Sequence, residues 1–212
     1  MFTKQDFDVF SIDGFEERMD ALKERIRPKL EQLGETFQSE LEYNLQTPVY
    51  YHVAKHARRT VNPPKDTWVA FSTNKRGYKM QPHFQIGLWG NFVFIYFGAI
   101  YECPDKKEIG AFIEKNFDET KKLIPNSFVI NADHMKPITH PISSLSDEDH
   151  IALLQRLQTV KKAEYLIGTI LTKEEAIEMS EQDFIDYCKT SLQTLTNLYL
   201  HISKRNLVGN KA

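Results

Sequence analysis

The residue types best suited to chemistry are concentrated between Val49 and Tyr101 of this 212-residue chain. His52 and His56 are four apart. On a helix that spacing places both imidazoles on one face, as in an HExxH zinc site. Here the intervening residues are Val53, Ala54 and Lys55, so the glutamate is missing. On a strand, four residues span roughly 13 Å, too far for two ligands of one ion. No metal and no cofactor are expected. The stronger pattern is basic. Arg58-Arg59, with Lys55 and Lys65, is followed by Lys75-Arg76-Gly77-Tyr78-Lys79. Guanidinium forks match phosphate and carboxylate groups bidentately. Trp68, Trp89 and Tyr96 supply rings and hydrogen-bonding edges beside them, and rings of this kind stack on bases. His83 adds a titratable group, although a lone strand histidine is more often a hydrogen-bonded structural residue. The alternative reading of the basic runs is a pair of solvated loops whose arginines pair with acidic helices.

Other chemistries find less support. There is no GxSxG, no GxGxxG after a strand and no Walker loop. Cys103 and Cys188 form no CxxC and are far apart in sequence. Asp147-Glu148-Asp149 fits a helix first turn, where carboxylates complement the macrodipole. Asp133-His134 and His140 share a Pro-rich loop that the sequence joins to no other group.

These side chains need a scaffold, and the hairpin signal is clear. Pro82 to Trp89 and Phe92 to Tyr101 are apolar, aromatic and β-branched runs separated by Gly90-Asn91, a tight-turn pattern. With Trp89 opposite Phe92, alternation puts Phe84, Ile86, Leu88, Val93, Ile95 and Phe97 on one apolar face. The other face mixes His83, Gln85, Gly87, Trp89, Phe92, Phe94, Tyr96 and Gly98. Glycine in a strand interior marks close approach by something else. A packed helix is the expected visitor and a ligand the alternative, since both faces of an α+β sheet are often covered. Thr67 to Thr73 reads as a further strand, and Val49 to Lys55 as a strand whose end could instead start a helical turn.

Helical stripes flank this block. Phe15, Met19, Leu22, Ile26, Leu30, Leu33, Phe37 and Leu41 recur at steps of three or four, through Pro28, so a kinked helix or close helix pair is predicted to end near Tyr43. Asp13 with Glu16, Ser146 with Asp149, Thr172 with Glu175 and Ser180 with Asp183 read as N-terminal caps. The last stripe runs from Phe184 to Ile202, and the tail NLVGNKA is expected to fray. The order argues for a single α+β domain over residues 1–212: a largely antiparallel sheet with helices packed on it, the long N-terminal and C-terminal ones included.

Net charge is −2, which argues against a polyanion-binding surface over the whole molecule. From Val49 to Lys79, however, seven Lys/Arg face a single Asp. No apolar run is long enough to span a bilayer, and MFTKQDFDVF lacks an apolar leader region. A cytoplasmic location and no membrane partner are expected.

The segments RIRPKLEQLGE, HVAKHARRTVNPPKDTWVAF and NKRGYKMQPHFQIGLW resemble the uncharacterised YktB-like family of Bacillus and related Gram-positive bacteria, over essentially the whole chain. The resemblance implies a bacterial, cytosolic α+β protein, with a fold near the antiparallel domains of biotin ligases and class II synthetases. It brings no catalytic residues with it. Three functions follow as expectations. The first is a non-enzymatic binding protein for a phosphate- or carboxylate-bearing small molecule, using His52, His56, Arg58, Arg59, Trp68, Lys75, Arg76, His83, Trp89 and Tyr96. The second is an RNA- or single-stranded-DNA-binding module using the same residues. The third is an enzyme with His52, His56 or His83 as general base.

Overall fold

A computed structural model describes the backbone of residues 1–209 and the side chains of residues 1–203; the end of the NLVGNKA tail lies outside the described residues. The chain opens with α1 (Lys4–Asp8), α2 (Phe15–Ala21) and α3 (Arg27–Leu45). Four strands follow: β1 (Tyr50–Val53), β2 (Asp66–Ser72), β3 (His83–Trp89) and β4 (Phe92–Ala99). Then come α4 (Lys106–Lys115), α5 (Phe117–Lys121), β5 (Val129–Asn131), β6 (His140–Pro141) and α6 (Asp147–Thr159). The chain closes with β7 (Tyr165–Thr172), α7 (Lys173–Glu178) and α8 (Glu181–Gly209). The strands form one sheet in the order β1-β2-β3-β4-β7-β5-β6, and every pairing is antiparallel. The α+β reading holds.

The hairpin is formed in the expected register, with Leu88 opposite Val93 and His83 opposite Gly98. Phe84, Ile86, Leu88, Val93, Ile95 and Phe97 enter the main core, together with Val69 and Phe71 of β2 and Ile167 of β7. The buried apolar residues of every helix join that same core. The opposite face makes a second cluster of Trp89, Phe92, Phe94, Tyr96, Ile100, Val129 and Leu166, with Trp68 and Ile170 against it, and among the described residues no helix residue belongs to it. This corrects the expectation of a covering helix. Large rings close over the face instead. Gly87 lies opposite Phe94 and beside Trp68, and a Cβ there would sit 2.5 Å from each side chain. The glycine makes room for rings of the sheet itself. Gly98, at φ +155°, lets β7 approach: a Cβ would lie 1.9 Å from the Tyr165 carbonyl oxygen.

The N-terminal stripe buries Leu22, Ile26, Leu30, Leu33, Phe37 and Leu41 as expected. Phe15 and Met19 are only partly buried. The helix does not break at Pro28. A wider π turn at Leu22–Ile26 precedes it, and proline has no N–H to give the ordinary helical bond at that point. Asp13 is not the cap: Gly14 takes that place and makes no side-chain cap. A capping box does occur earlier, where the Asp6 carboxylate accepts from the Thr3 N–H at 2.7 Å and its hydroxyl at 2.9 Å. The Ser146, Thr172 and Ser180 caps form as read. The stretch from His134 to Ser144 is not all loop. His140–Pro141 pairs with Val129–Ile130 at the sheet edge, where a proline costs no ladder hydrogen bond. Both cysteines are buried free thiols. Among the described residues no helix is long and apolar enough to cross a membrane.

Candidate functional site

Strand alternation builds a narrow cleft on the helix-free face. Asp66 and Trp68 of β2, Gln85 and Trp89 of β3, Phe94 and Tyr96 of β4, Asn131 of β5 and Leu166 of β7 all line it, joined by His134 from the loop after β5. The register explains the set: Asp66 lies opposite Trp89, Gln85 opposite Tyr96, and Leu166 opposite both Gly98 and Asn131. The free space at its centre admits about one water-sized group.

The polar groups of this cleft, and His83 behind it, are held in defined states. His83 is fully buried and its Nδ1 lies 2.8 Å from the Gln81 carbonyl oxygen. A carbonyl only accepts, so Nδ1 carries the proton and Nε2 is an acceptor. The Gln85 amide therefore donates to Nε2 at 2.7 Å, which leaves its carbonyl oxygen as the free end. Burial lowers the His83 pKa to about 4, keeping it neutral. The Tyr96 hydroxyl is buried and has no hydrogen-bond partner. Asp66 is 5% exposed. Burial raises its pKa to about 6, against the opposing charges of His134 and Arg59.

His134 is fixed from behind by a buried carboxylate. Glu164 accepts from the His134 backbone N–H at 2.7 Å and from its Nδ1 at 2.8 Å, and from the Tyr101 N–H at 3.2 Å. Burial disfavours the imidazolium, but the hydrogen bond and charge of Glu164, with Asp66, outweigh it and leave His134 above its ordinary pKa. The ring packs edge-on to Trp68 and stacks on Tyr101.

Trp68 and His134 also line a second, open cleft with Lys55, His56, Arg58, Arg59, Tyr78, Lys79 and Met135. Trp68 is held by a hydrogen bond from Nε1 to the Tyr78 hydroxyl at 3.0 Å. His56 adopts a left-handed backbone at φ +50°, and its ring lies edge-on to Trp68 with Nε2 3.2 Å from Thr67 Oγ1. Burial, then the charges of Arg59 and Arg27, lower its pKa to about 4. Lys79 pairs with Glu102 at 2.9 Å. Among the described residues, no salt bridge is made by Lys55, Arg58 or Arg59.

Residues 2–199 match the family described as "Domain of unknown function (DUF1054)". The chain belongs to the DUF1054 family. A UPF0637 protein of Bacillus mycoides (strain KBAB4) is 52% identical over 198 residues, covering 93% of this chain and 95% of the relative. UPF0637 proteins of Bacillus cereus (strain B4264) and Bacillus thuringiensis (strain Al Hakam) match to the same extent.

In this DUF1054 chain the residues singled out from sequence separate into groups. Trp68, Trp89 and Tyr96 meet in the inner cleft, and His56, Arg58 and Arg59 meet Trp68 in the outer one. His83 stands behind Gln85 as its hydrogen-bond partner and lines neither cleft. His52 faces a separate groove with Arg27 and Glu31, its Nε2 3.1 Å from the Asn74 carbonyl oxygen. Lys75 and Arg76 line neither cleft. The two basic loops are not at one end of the sheet. Antiparallel pairing sets the β1–β2 loop at the Asp66 end of β2 and the β2–β3 loop at its Ser72 end. Only the later part of the second loop, Tyr78 and Lys79, returns to the site. Asp66, Gln85, Asn131, His134 and Glu164 were not legible as site residues. The alternation of β2 and β5 would have placed Asp66 and Asn131 had the strand order been known. Nothing in the sequence couples His134 to Glu164, thirty positions away. Among the described residues no group of three or more His, Cys, Asp or Glu could hold a metal ion.

Proposed function

We propose that this protein binds a small molecule bearing a phosphate or carboxylate group in the outer cleft. The observation that carries the reading is the pairing of three cations without salt bridges among the described residues, Lys55, Arg58 and Arg59, with an aromatic inner cleft that shares Trp68 and His134 with the outer one. Guanidinium groups bind such anions bidentately, and the tryptophan and tyrosine edges offer an apolar wall beside them. A small-molecule site needs concavity and a few converging polar groups, and both are present here. An extended nucleic-acid surface is less well supported. Lys75-Arg76 and Arg58-Arg59 belong to loops at opposite ends of a seven-residue strand, which spans roughly 20 Å.

The test is a thermal-shift and calorimetric comparison at low salt, using inorganic phosphate, small phosphorylated and carboxylated metabolites, and short single-stranded oligonucleotides. Small anions are expected to stabilise the wild type and to lose that effect in Arg58→Ala/Arg59→Ala. Stabilisation by oligonucleotides alone, erased by salt, would transfer the reading to nucleic acid. Equal responses of wild type and double variant to every small anion would overturn it.

A further inference from the structure

Resting on the anion-binding reading above, we infer that the inner cleft takes a primary ammonium group, so that the ligand class is a small zwitterion: an amine at one end and a phosphate or carboxylate at the other. Four observations converge on this. The first is size, since the space at the centre of the cleft admits about one water-sized group and an ammonium head is of that size. The second is the acceptor set. Asp66 lines the cleft and is 5% exposed; its carboxylate accepts from its own backbone N–H and makes no hydrogen bond to another side chain among the described residues. The His83 contact commits the Gln85 amide nitrogen, leaving its carbonyl oxygen to accept. Tyr96 is 2% exposed, and its buried hydroxyl has no hydrogen-bond partner among the described residues. Asp66, Gln85 and Tyr96 thus offer acceptors along the cleft wall to the N–H donors of a primary ammonium group.

The third observation is the wall. Trp68, Trp89 and Phe94 line the same space, and aromatic rings attract a desolvated cation that meets one of their faces. A bare apolar or anionic group placed here would strand these acceptors without donors, a loss that strongly discriminates against ligands lacking the matching hydrogens. The fourth is the change of sign between the two clefts. The outer one gathers Lys55, Arg58, Arg59 and Lys79, while Asp66 is the carboxylate of the inner one. They share Trp68 and His134 as lining residues, which places them side by side. His134, held by Glu164, stands on the wall that the two clefts share.

The experiment compares matched probes by isothermal titration calorimetry. The series is the ω-amino acids from glycine to 6-aminohexanoate together with O-phosphoethanolamine. Each is set beside the same molecule without its amine, monoethyl phosphate standing for the last. At least one amine-bearing member is expected to bind about tenfold or more tighter than its partner. That preference should fall toward unity in Asp66→Asn and drop severalfold in Tyr96→Phe, while Arg58→Ala/Arg59→Ala weakens both members of the pair alike. Tyr96→Phe removes a hydroxyl that bonds to nothing in the protein, so it tests the inference even where Asp66→Asn misfolds. If the amine-free partners bind as tightly as the amines, the anion site stands and the ammonium pocket is refuted. If no probe of either kind binds, both readings fall.

Discussion

Replacing Glu164 by Gln gives the most informative single perturbation of the site. The carboxylate is 4% exposed and receives three N–H donors, two from His134 and one from Tyr101. Glutamine keeps one acceptor oxygen, but its NH2 faces a group that itself donates. One or two buried N–H groups lose their partner, at about 1–3 kcal/mol each. The imidazolium also loses its counter-charge, and breaking a buried pair from one side costs about 3–5 kcal/mol in total. In a chain of this size that is a fall in Tm of roughly 6–20 °C. The pH dependence has a definite sign. His134 titrates above its ordinary value of 6.5 in the folded protein, so the pair's contribution is complete below pH 6.5. It is then lost as pH rises through the folded pKa. The gap between wild type and Glu164→Gln in urea denaturation should therefore be widest on the acidic side and narrow on the alkaline side. NMR titration of the His134 imidazole should show its pKa dropping in the variant. A stability change below about 1 kcal/mol with an unmoved His134 titration would refute the argument that Glu164 governs this histidine.

Gly87→Ala forces a methyl to within 2.5 Å of Phe94 and of Trp68 Cβ, and 2.6 Å of the Thr67 carbonyl oxygen. It should destabilise by about 1–3 kcal/mol in chemical denaturation and shift the tryptophan emission. His83 is held neutral with a folded pKa of about 4 against an ordinary 6.5, so the unfolded chain binds the extra proton between those values and stability falls as pH falls through that window. His83→Gln should flatten that dependence by up to about 3 kcal/mol, read from urea midpoints across the window. Cys103 and Cys188 are buried, and burial pushes both thiols upward, Cys103 to about 11. Native protein should leave both unreactive toward a thiol reagent, with two equivalents released only on denaturation.

How much was readable in advance depended on the range of the interaction. The Gly90-Asn91 turn fixes its own register, so the two faces of the hairpin could be assigned residue by residue, and Phe84 to Phe97 proved to be core. Caps such as Ser146–Asp149 are three residues across and equally local. The covering of the second face was a tertiary matter. Trp68 and Phe94 compete with any helix for the space above Gly87, and only their cross-strand pairing reveals it. The separation of the two basic loops follows from antiparallel geometry alone, once β1 and β2 are recognised as neighbours. Trp68, Trp89 and Tyr96 stood out because large rings on a polar-mixed face are conspicuous. Asp66 and Glu164 did not, because a carboxylate at a strand end looks solvated until its burial is known.

The placement of every helix on one side of the sheet divides labour within the fold. Most apolar burial lies between helices and sheet, and the clefts lie on the far side, roofed by rings and by the connections that carry His56, Tyr78 and His134. Entry of the proposed ligand would need only those connections to lift, a sub-global opening that leaves the helical layer packed and costs far less than unfolding. Amide exchange at the roof should run ahead of exchange in β3 and β4. Changes in the part of the β1–β2 connection before Pro64, whose carbonyl the buried Arg18 of α2 holds at 2.9 Å, should be absorbed at the roof with little effect on the helix-side core. If the cleft takes the proposed anion, its selectivity would drift through those connections while the packed layer beneath stays unchanged.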